Sequence, residues 1–227
     1  MKPMKYSLRA LALMLGYPSA DLRSKLPMLV DAIDSEGAIP AARRTELTAL
    51  SNELMCTDAM EVESRYVETF DRGRATSLHL FEHVHGDSRD RGPAMVDLAQ
   101  TYEKAGLLMG PNEMPDHLCV VLEFASTQPT KVAEAFLGEM EHILTAIFSA
   151  LLKRSSPYAA ILAAVLELAG QKVQAVPIEA DAPMDDDWVE PMAFDGCSTK
   201  GQAKPGDPQP IHIVRKAKPS PTQGANA

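Results

Sequence analysis

One pentapeptide of the 227-residue chain carries the residue types of a metal site. His79-Leu-Phe-Glu82-His83 matches the H-x-x-E-H pattern of an inverted zinc-peptidase site. On a helix, His79 and His83 fall one turn apart on the same face, the spacing at which two imidazoles share a zinc ion. Glu82 would then serve as general base, and His85 adds a third ring nitrogen close by. A catalytic zinc also needs a protein ligand from a distant element. Glu123 and Glu134 qualify for that place only by residue type. On these residues alone the chain is a candidate zinc-dependent hydrolase with one ligand unassigned.

The same stretch also supports a reading without chemistry. Leu78, Leu80 and Phe81 pack inward, leaving the imidazoles and Glu82 at a helix end. Gly86-Asp87-Ser88 has the composition of a turn leading into a helix cap. Arg89, Asp90 and Arg91 then supply ion pairs that brace the loop. Pro93 is best tolerated in a first helical turn, which moves the expected helix start towards Gly92.

The elements that must position these residues are helical. Leu8, Leu11 and Leu15 form one apolar stripe, and Leu22, Leu26, Leu29, Val30 and Ile33 form a second that stops near Gly37. Pro40 opens a third segment through Leu47, Leu50 and Leu54, and Val62, Tyr66 and Phe70 mark a fourth. Met95, Leu98, Tyr102 and Ala105 predict a helix that ends near Gly106, a residue suited to a helix C-terminus. The longest period runs over residues 129–152, with Val132, Phe136, Met140, Ile143, Ile147 and Leu151 on one face. Pro157 restarts a final apolar helix over residues 158–168. No stretch alternates as a strand, so the expectation is an all-α domain of eight to ten helices over residues 1–170.

Composition narrows the function. A 45% hydrophobic share is that of a globular chain, and 12 methionines against 5% aromatic residues give it an adaptable apolar surface. The net charge of −9 is the wrong sign for a nucleic-acid footprint or for adhesion to anionic lipid. Cys56, Cys119 and Cys197 are widely spaced and odd in number, which fits reduced thiols in the cytoplasm. The apolar run over residues 8–15 contains Arg9 and ends at Gly16-Tyr17-Pro18 without a cleavage pattern, so it reads as a first helix and not a signal peptide. No stretch approaches the roughly 18 apolar residues of a membrane span. Residues 171–227 hold eight of the 17 prolines and the acidic run at Asp185, Asp186 and Asp187. A segment so composed buries too little apolar area to offset its ordering entropy, and a mostly disordered tail is expected there. Trp188 and Phe194 mark an aromatic patch within it, and residues 211–214 a possible short strand.

Tyr66-Val-Glu-Thr-Phe70-Asp71-Arg72, the whole of residues 77–92 and Ala94-Met-Val-Asp-Leu98 form a block that resembles a known family. Tyr102 with Gly106-Leu107, Glu113-Met-Pro-Asp-His-Leu118, Val121-Leu-Glu-Phe124 and Trp188-Val-Glu-Pro191 with Phe194 and Cys197 extend the match. The resemblance is to the NarJ-type assembly chaperones for the nitrate reductase molybdenum cofactor. It implies an all-helical fold similar to that of chaperones for twin-arginine-exported molybdoenzymes, with no catalysis and no cofactor of its own. It further implies that the protein binds the N-terminal segment of the apo catalytic subunit of respiratory nitrate reductase in the cytoplasm. There it would keep that subunit competent for molybdenum cofactor and iron–sulfur insertion and delay membrane docking. Molybdenum cofactor delivery proteins are the further partners such a role allows. A basic amphipathic leader helix would lay its apolar side in a groove between helices, with acids around the rim. Groove candidates are Tyr66, Phe70, Leu78, Phe81, Met95, Tyr102 and Phe124; rim candidates are Glu68, Asp71, Glu82, Asp87 and Glu123. His83, His85 and Arg89 are candidate recognition groups beside them.

Overall fold

The computed structural model describes residues 2–86, 88–111 and 113–177. Among them are ten α-helices: α1 (Lys5–Met14), α2 (Ala20–Glu36), α3 (Ala41–Cys56), α4 (Ala59–Phe70), α5 (Leu80–His85), α6 (Arg91–Lys104), α7 (Leu118–Thr127), α8 (Thr130–Glu139), α9 (Glu141–Lys153) and α10 (Ala159–Leu168). A single 3-10 turn, Arg74–Thr76, precedes α5. The only strand-like pairing among the described residues is an antiparallel bridge between His79 and His117.

Local chemistry sets the helix ends. The Ser19 side chain accepts from the Leu22 N–H to start α2, and the Asp58 carboxylate accepts from Met60 and Glu61 to start α4. Gly37 (φ 62°) and Gly106 (φ 82°) take the left-handed backbone that follows α2 and α6. After α6, Gly106 N–H donates to Glu103 O at 2.9 Å and Leu107 N–H to Tyr102 O at 3.0 Å, so the carbonyls of the last turn are satisfied. Two ends are capped from other helices. The Glu36 carboxylate accepts from Tyr6 and Ser7 N–H (3.1 and 2.7 Å) at the start of α1. Arg23 donates to Leu54, Met55 and Thr57 carbonyls (2.7, 3.1 and 2.5 Å) at the end of α3. These contacts tie α2 to both of its neighbours.

The core lies where α1 packs against α7 and α2, and α10 against α9 and α3. Leu8, Leu11 and Leu15 of the first stripe share one buried cluster with Val121, Leu122 and Ala125, while α10 is buried around nearly its whole circumference. Periodicity does not reveal α7. Its sequence, LCVVLEFAST, is apolar on most sides and short, so it shows no stripe to read. The predicted helix over residues 129–152 is two helices. The chain bends by 69° between α8 and α9, at Met140 (φ −98°, ψ 7°). The break lets each half follow a different support, α8 packing on α7 and α10, and α9 on α10 and the 3-10 turn. Among the described residues no single helix is long and apolar enough to cross a membrane.

Of the expected tail, residues 171–177 are described and run on from α10. Val173 packs against the core, and the Val176 N–H donates to Ser149 Oγ at 2.9 Å. Trp188, Phe194, Cys197 and residues 211–214 lie outside the described residues. Cys56 and Cys119 are free thiols, and burial pushes the Cys119 thiol up to about 12, which keeps it protonated near neutral pH.

This packing predicts a sharp contrast between two leucines. Leu122→Ala, at a position 0% exposed, should cost about 3 kcal/mol in urea unfolding. Leu13→Ala, 47% exposed on the outer side of α1, should cost less than about 0.5 kcal/mol.

Candidate functional site

The histidine block is organised around a carboxylate that sequence reasoning passed over. Asp116, 0% exposed, sits in the segment leading into α7. Its backbone and that of Leu118 pair with the stretch before α5: Leu80 N–H donates to Asp116 O at 3.0 Å, and Leu118 N–H to Leu78 O at 2.8 Å. The carboxylate then gathers three donors. His79 Nδ1 lies 3.3 Å from Oδ1, Phe81 N–H donates to Oδ2 at 3.3 Å, and the Arg91 guanidinium lies 3.7 Å from Oδ2. Arg91 also reaches Glu82 at 3.4 Å, and Glu82 accepts from Ser77 Oγ at 2.5 Å. His83 Nε2 donates to Ser77 O at 2.9 Å, closing a knot that joins residues 77–91 to the entry of α7.

Electrostatics follow from that enclosure. Burial pushes the Asp116 carboxyl up, but the His79 hydrogen bond and charge, the Phe81 N–H and Arg91 outweigh it, leaving the group below its ordinary range. His79 is raised, chiefly by its hydrogen bond to Asp116 and against the effect of burial. Burial and the neighbouring His79, whose ring centre is 5.0 Å away, lower His117.

The expected zinc geometry is absent for a structural reason. His79 precedes α5 in extended backbone (φ −86°, ψ 101°), so it does not share a helix face with His83. The two imidazoles and Glu82 are engaged with Asp116, Ser77 and Arg91, and Glu123 lies on α7 beside Arg9. Among the described residues no three His, Cys, Asp or Glu side chains converge to hold a metal ion. Ser88 does not cap α6, whose start follows Asp90, and Pro93 falls in its first turn as expected. Of the three charged residues predicted to brace the loop, Arg91 makes the ion pairs, whereas Arg89 is exposed and forms none among the described residues.

The groove candidates separate into two groups. Tyr66 and Phe70 belong to a buried aromatic cluster with Tyr158 (ring centres 4.8 to 5.9 Å apart), and Tyr66 Oη donates to Leu15 O at 2.7 Å. Leu78 is likewise core. All three are buried core residues, and none lines the two pockets described below. The second group forms a satellite cluster apart from the main core. Leu98, Tyr102 and Phe124 are its buried centre, and Phe81, Leu107, Met109, Val120 and Phe136 are packed half-exposed around it. Tyr102 and Phe124 rings lie 4.5 Å apart, and Tyr102 Oη donates to Pro115 O at 2.8 Å, next to Asp116. Phe81 meets His85 edge-on at 5.6 Å, and Met95 is half-buried on α6, one turn before Leu98.

A surface pocket of about 270 Å³ opens on this cluster. Tyr102, Leu107, Leu108, Met109, Val120 and Phe124 form its apolar wall, and Arg9, Glu113 and Glu123 are its charged residues. Leu108 is 86% exposed, a large apolar side chain presented to water in a loop. A wider cleft of about 390 Å³ lies elsewhere, between α3, α4 and the α9–α10 turn, and takes only Glu68 of the predicted residues. Asp71 is exposed at the end of α4, and Asp87 is outside the described residues. The smaller pocket is the better candidate because predicted groove and rim residues, Tyr102, Phe124 and Glu123, meet there. Sequence reasoning did not single out Arg9, Leu107, Leu108, Met109, Glu113 or Val120 for this site; three adjacent apolar residues in the loop after Gly106 were the available signal.

The model of one family, described as nitrate reductase delta subunit, matches residues 36–164, more than half of the chain. The chain belongs to the nitrate reductase delta subunit family. Its relatives include the nitrate reductase molybdenum cofactor assembly chaperone NarJ of Escherichia coli, 37% identical over 194 residues, which are 84% of this chain and 81% of that protein. The nitrate reductase-like protein NarX of Mycobacterium tuberculosis is 37% identical over 155 residues, covering 68% of this chain and 23% of its own length. The fold matches the crystal structure of a redox enzyme maturation protein from Archaeoglobus fulgidus, with a TM-score of 0.52 at 21% identity over 74% of this chain and 94% of that one. Family membership places the chain among assembly chaperones and not among catalysts. The polar knot and the pocket both lie inside the stretch that the family model matches, with Arg9 alone outside it.

The knot carries a pH dependence whose sign is fixed by these shifts. A raised His79 stabilises the fold below the ordinary histidine value of 6.5 and loses that contribution as pH rises through its folded-state value. The depressed Asp116 contributes above the ordinary 3.8 and is lost only in acid. His117 titrates with the opposite sign, so His117→Gln is the proper background. In it, His79→Gln should cost more stability at about pH 5.5 than at about pH 8.5 by urea unfolding. Equal costs at both would contradict the His79–Asp116 pairing.

Proposed function

We propose that the protein is a cytoplasmic assembly chaperone that binds the N-terminal segment of the apo catalytic subunit of nitrate reductase. It keeps that subunit open to molybdenum cofactor and iron–sulfur insertion until the subunit docks at the membrane. The observation that carries this reading is the apolar pocket with acidic residues at its lip, set inside the stretch that defines the family.

The physical case rests on what such a pocket accepts. Half-buried Leu107, Met109 and Val120 over buried Tyr102 and Phe124 provide an apolar floor, and the flexible Met side chain adapts to an imperfect fit. A volume of about 270 Å³ holds one or two large side chains and not a whole cofactor. An amphipathic segment that places an apolar anchor there would bring its basic positions to Glu123 and Glu113, and the net charge of −9 favours its approach. Holding an extended client segment needs no bond making, which agrees with a site in which the imidazoles and carboxylates of the knot are already engaged by one another.

Calorimetric titration with a synthetic peptide copying that N-terminal segment should show saturable binding. Leu108→Glu should weaken it at least about tenfold with the melting temperature unchanged, since the side chain is 86% exposed. Unaltered affinity would remove the pocket from the binding surface.

A further inference from the structure

The lip of the pocket contains one ion pair, and it joins two helices. Arg9 of α1 reaches Glu123 of α7, with Nη2 and Oε1 3.3 Å apart. The two side chains are 56% and 58% exposed. Among the described residues this pair is the one hydrogen bond or ion pair that either side chain makes, and both face water. An exposed pair of this kind is worth little to stability, because solvent screens it and two long side chains must be held in place. The other acid at the lip is differently employed. The Glu113 carboxylate accepts from Gly110 N–H at 2.7 Å and so holds its own loop in shape. Glu123 is therefore the lip carboxylate whose existing partner is itself a cation, so an incoming basic residue must displace an arginine of the same chain to pair with it fully.

We infer that Arg9 is a built-in competitor for the client's basic residue, occupying Glu123 until a lysine or arginine of the bound segment displaces it. This rests on the proposed peptide-binding role of the pocket. The exchange is close to neutral in charge terms, since one surface cation replaces another and Arg9 swings into water. A peptide with an apolar anchor and a well-placed cation gains both the pocket and Glu123. A merely apolar peptide leaves the Arg9–Glu123 pair intact and gains only the pocket. Arg9 is thus a specificity-determining residue, one that lowers affinity for every cationic ligand by a small factor and leaves apolar ligands unaffected.

The test is a calorimetric cycle on the full chain with two synthetic peptides. One copies the N-terminal segment of the nitrate reductase catalytic subunit, and the other has its lysines and arginines replaced by glutamine. Arg9→Gln should tighten the basic peptide about two- to fivefold at low salt, an effect that fades as ionic strength rises, and leave the neutral peptide unchanged. Glu123→Gln should weaken the basic peptide, and adding Arg9→Gln to it should then have no effect. Equal or weaker binding of the basic peptide by Arg9→Gln, with the wild type binding normally, would overturn the competitor role alone. A wild-type protein that binds neither peptide would overturn the proposed function along with it.

Discussion

A carboxylate shut away from water must be matched by donors, and the arrangement around Asp116 follows from that requirement. An isolated buried charge would cost several kcal/mol, and removing one member of such a pair typically costs about 3 kcal/mol or more. Asp116 meets the demand with His79, the Phe81 N–H and Arg91, all contributed by the stretch from residue 79 to residue 91. Two segments far apart in sequence are thereby fixed to each other. The backbone bridge between His79 and His117 is the geometric result, and the register of α5 against the entry of α7 follows from it. Because Tyr102 Oη donates to Pro115 O, the carbonyl just before Asp116, the same junction also ties the end of α6 to the segment leading into α7. The satellite cluster and its pocket sit on that junction.

Rigidity behind the pocket comes from the main core. The helix α7 packs against α1 and presents Val120, Glu123 and Phe124 to the pocket, whose lip Arg9 of α1 also reaches. The position of α1 is in turn fixed by buried leucines along its inner face and by the Glu36 carboxylate at its first turn. A helix that is both a core wall and the floor of a binding site has no independent freedom to repack. Adaptability is left to the loop after Gly106, where Leu107, Leu108 and Met109 project from a short segment between α6 and Pro111. The division suits the proposed binding and release of a client segment.

How much of this was legible in the sequence depended on whether a residue's partners were local. Stripes of leucine announced α1, α2 and α3, the apolar run after Pro157 announced α10, and Gly37 and Gly106 marked the ends of α2 and α6 where left-handed backbone was needed. The failures share one cause, which is tertiary packing. The bend at Met140 splits a period that looks continuous over residues 129–152, because the two halves rest on different neighbours. A helix buried on most sides, α7, has no polar face to betray it. The pattern His79-Leu-Phe-Glu82-His83 suggested a metal site only under the assumption of one continuous helix, and the bridge to His117 ends that helix at Leu80. Asp116 lay in a quoted motif but gave no sign of burial, since its donors come from more than 20 residues upstream. Tyr66, Phe70 and Leu78 were groove candidates and lie in the core, because sequence alone does not separate a core face from a groove.

The central claim is that the client segment seats on the pocket between α6 and α7. Amide-resolved NMR of the labelled protein, with and without the synthetic N-terminal peptide of the nitrate reductase catalytic subunit, tests it most directly. Shift changes should concentrate at residues 102–109 and 120–127, with Arg9 among them. Changes confined to the cleft lined by Glu53, Glu68 and Tyr158, with the α6–α7 pocket undisturbed, would contradict the account.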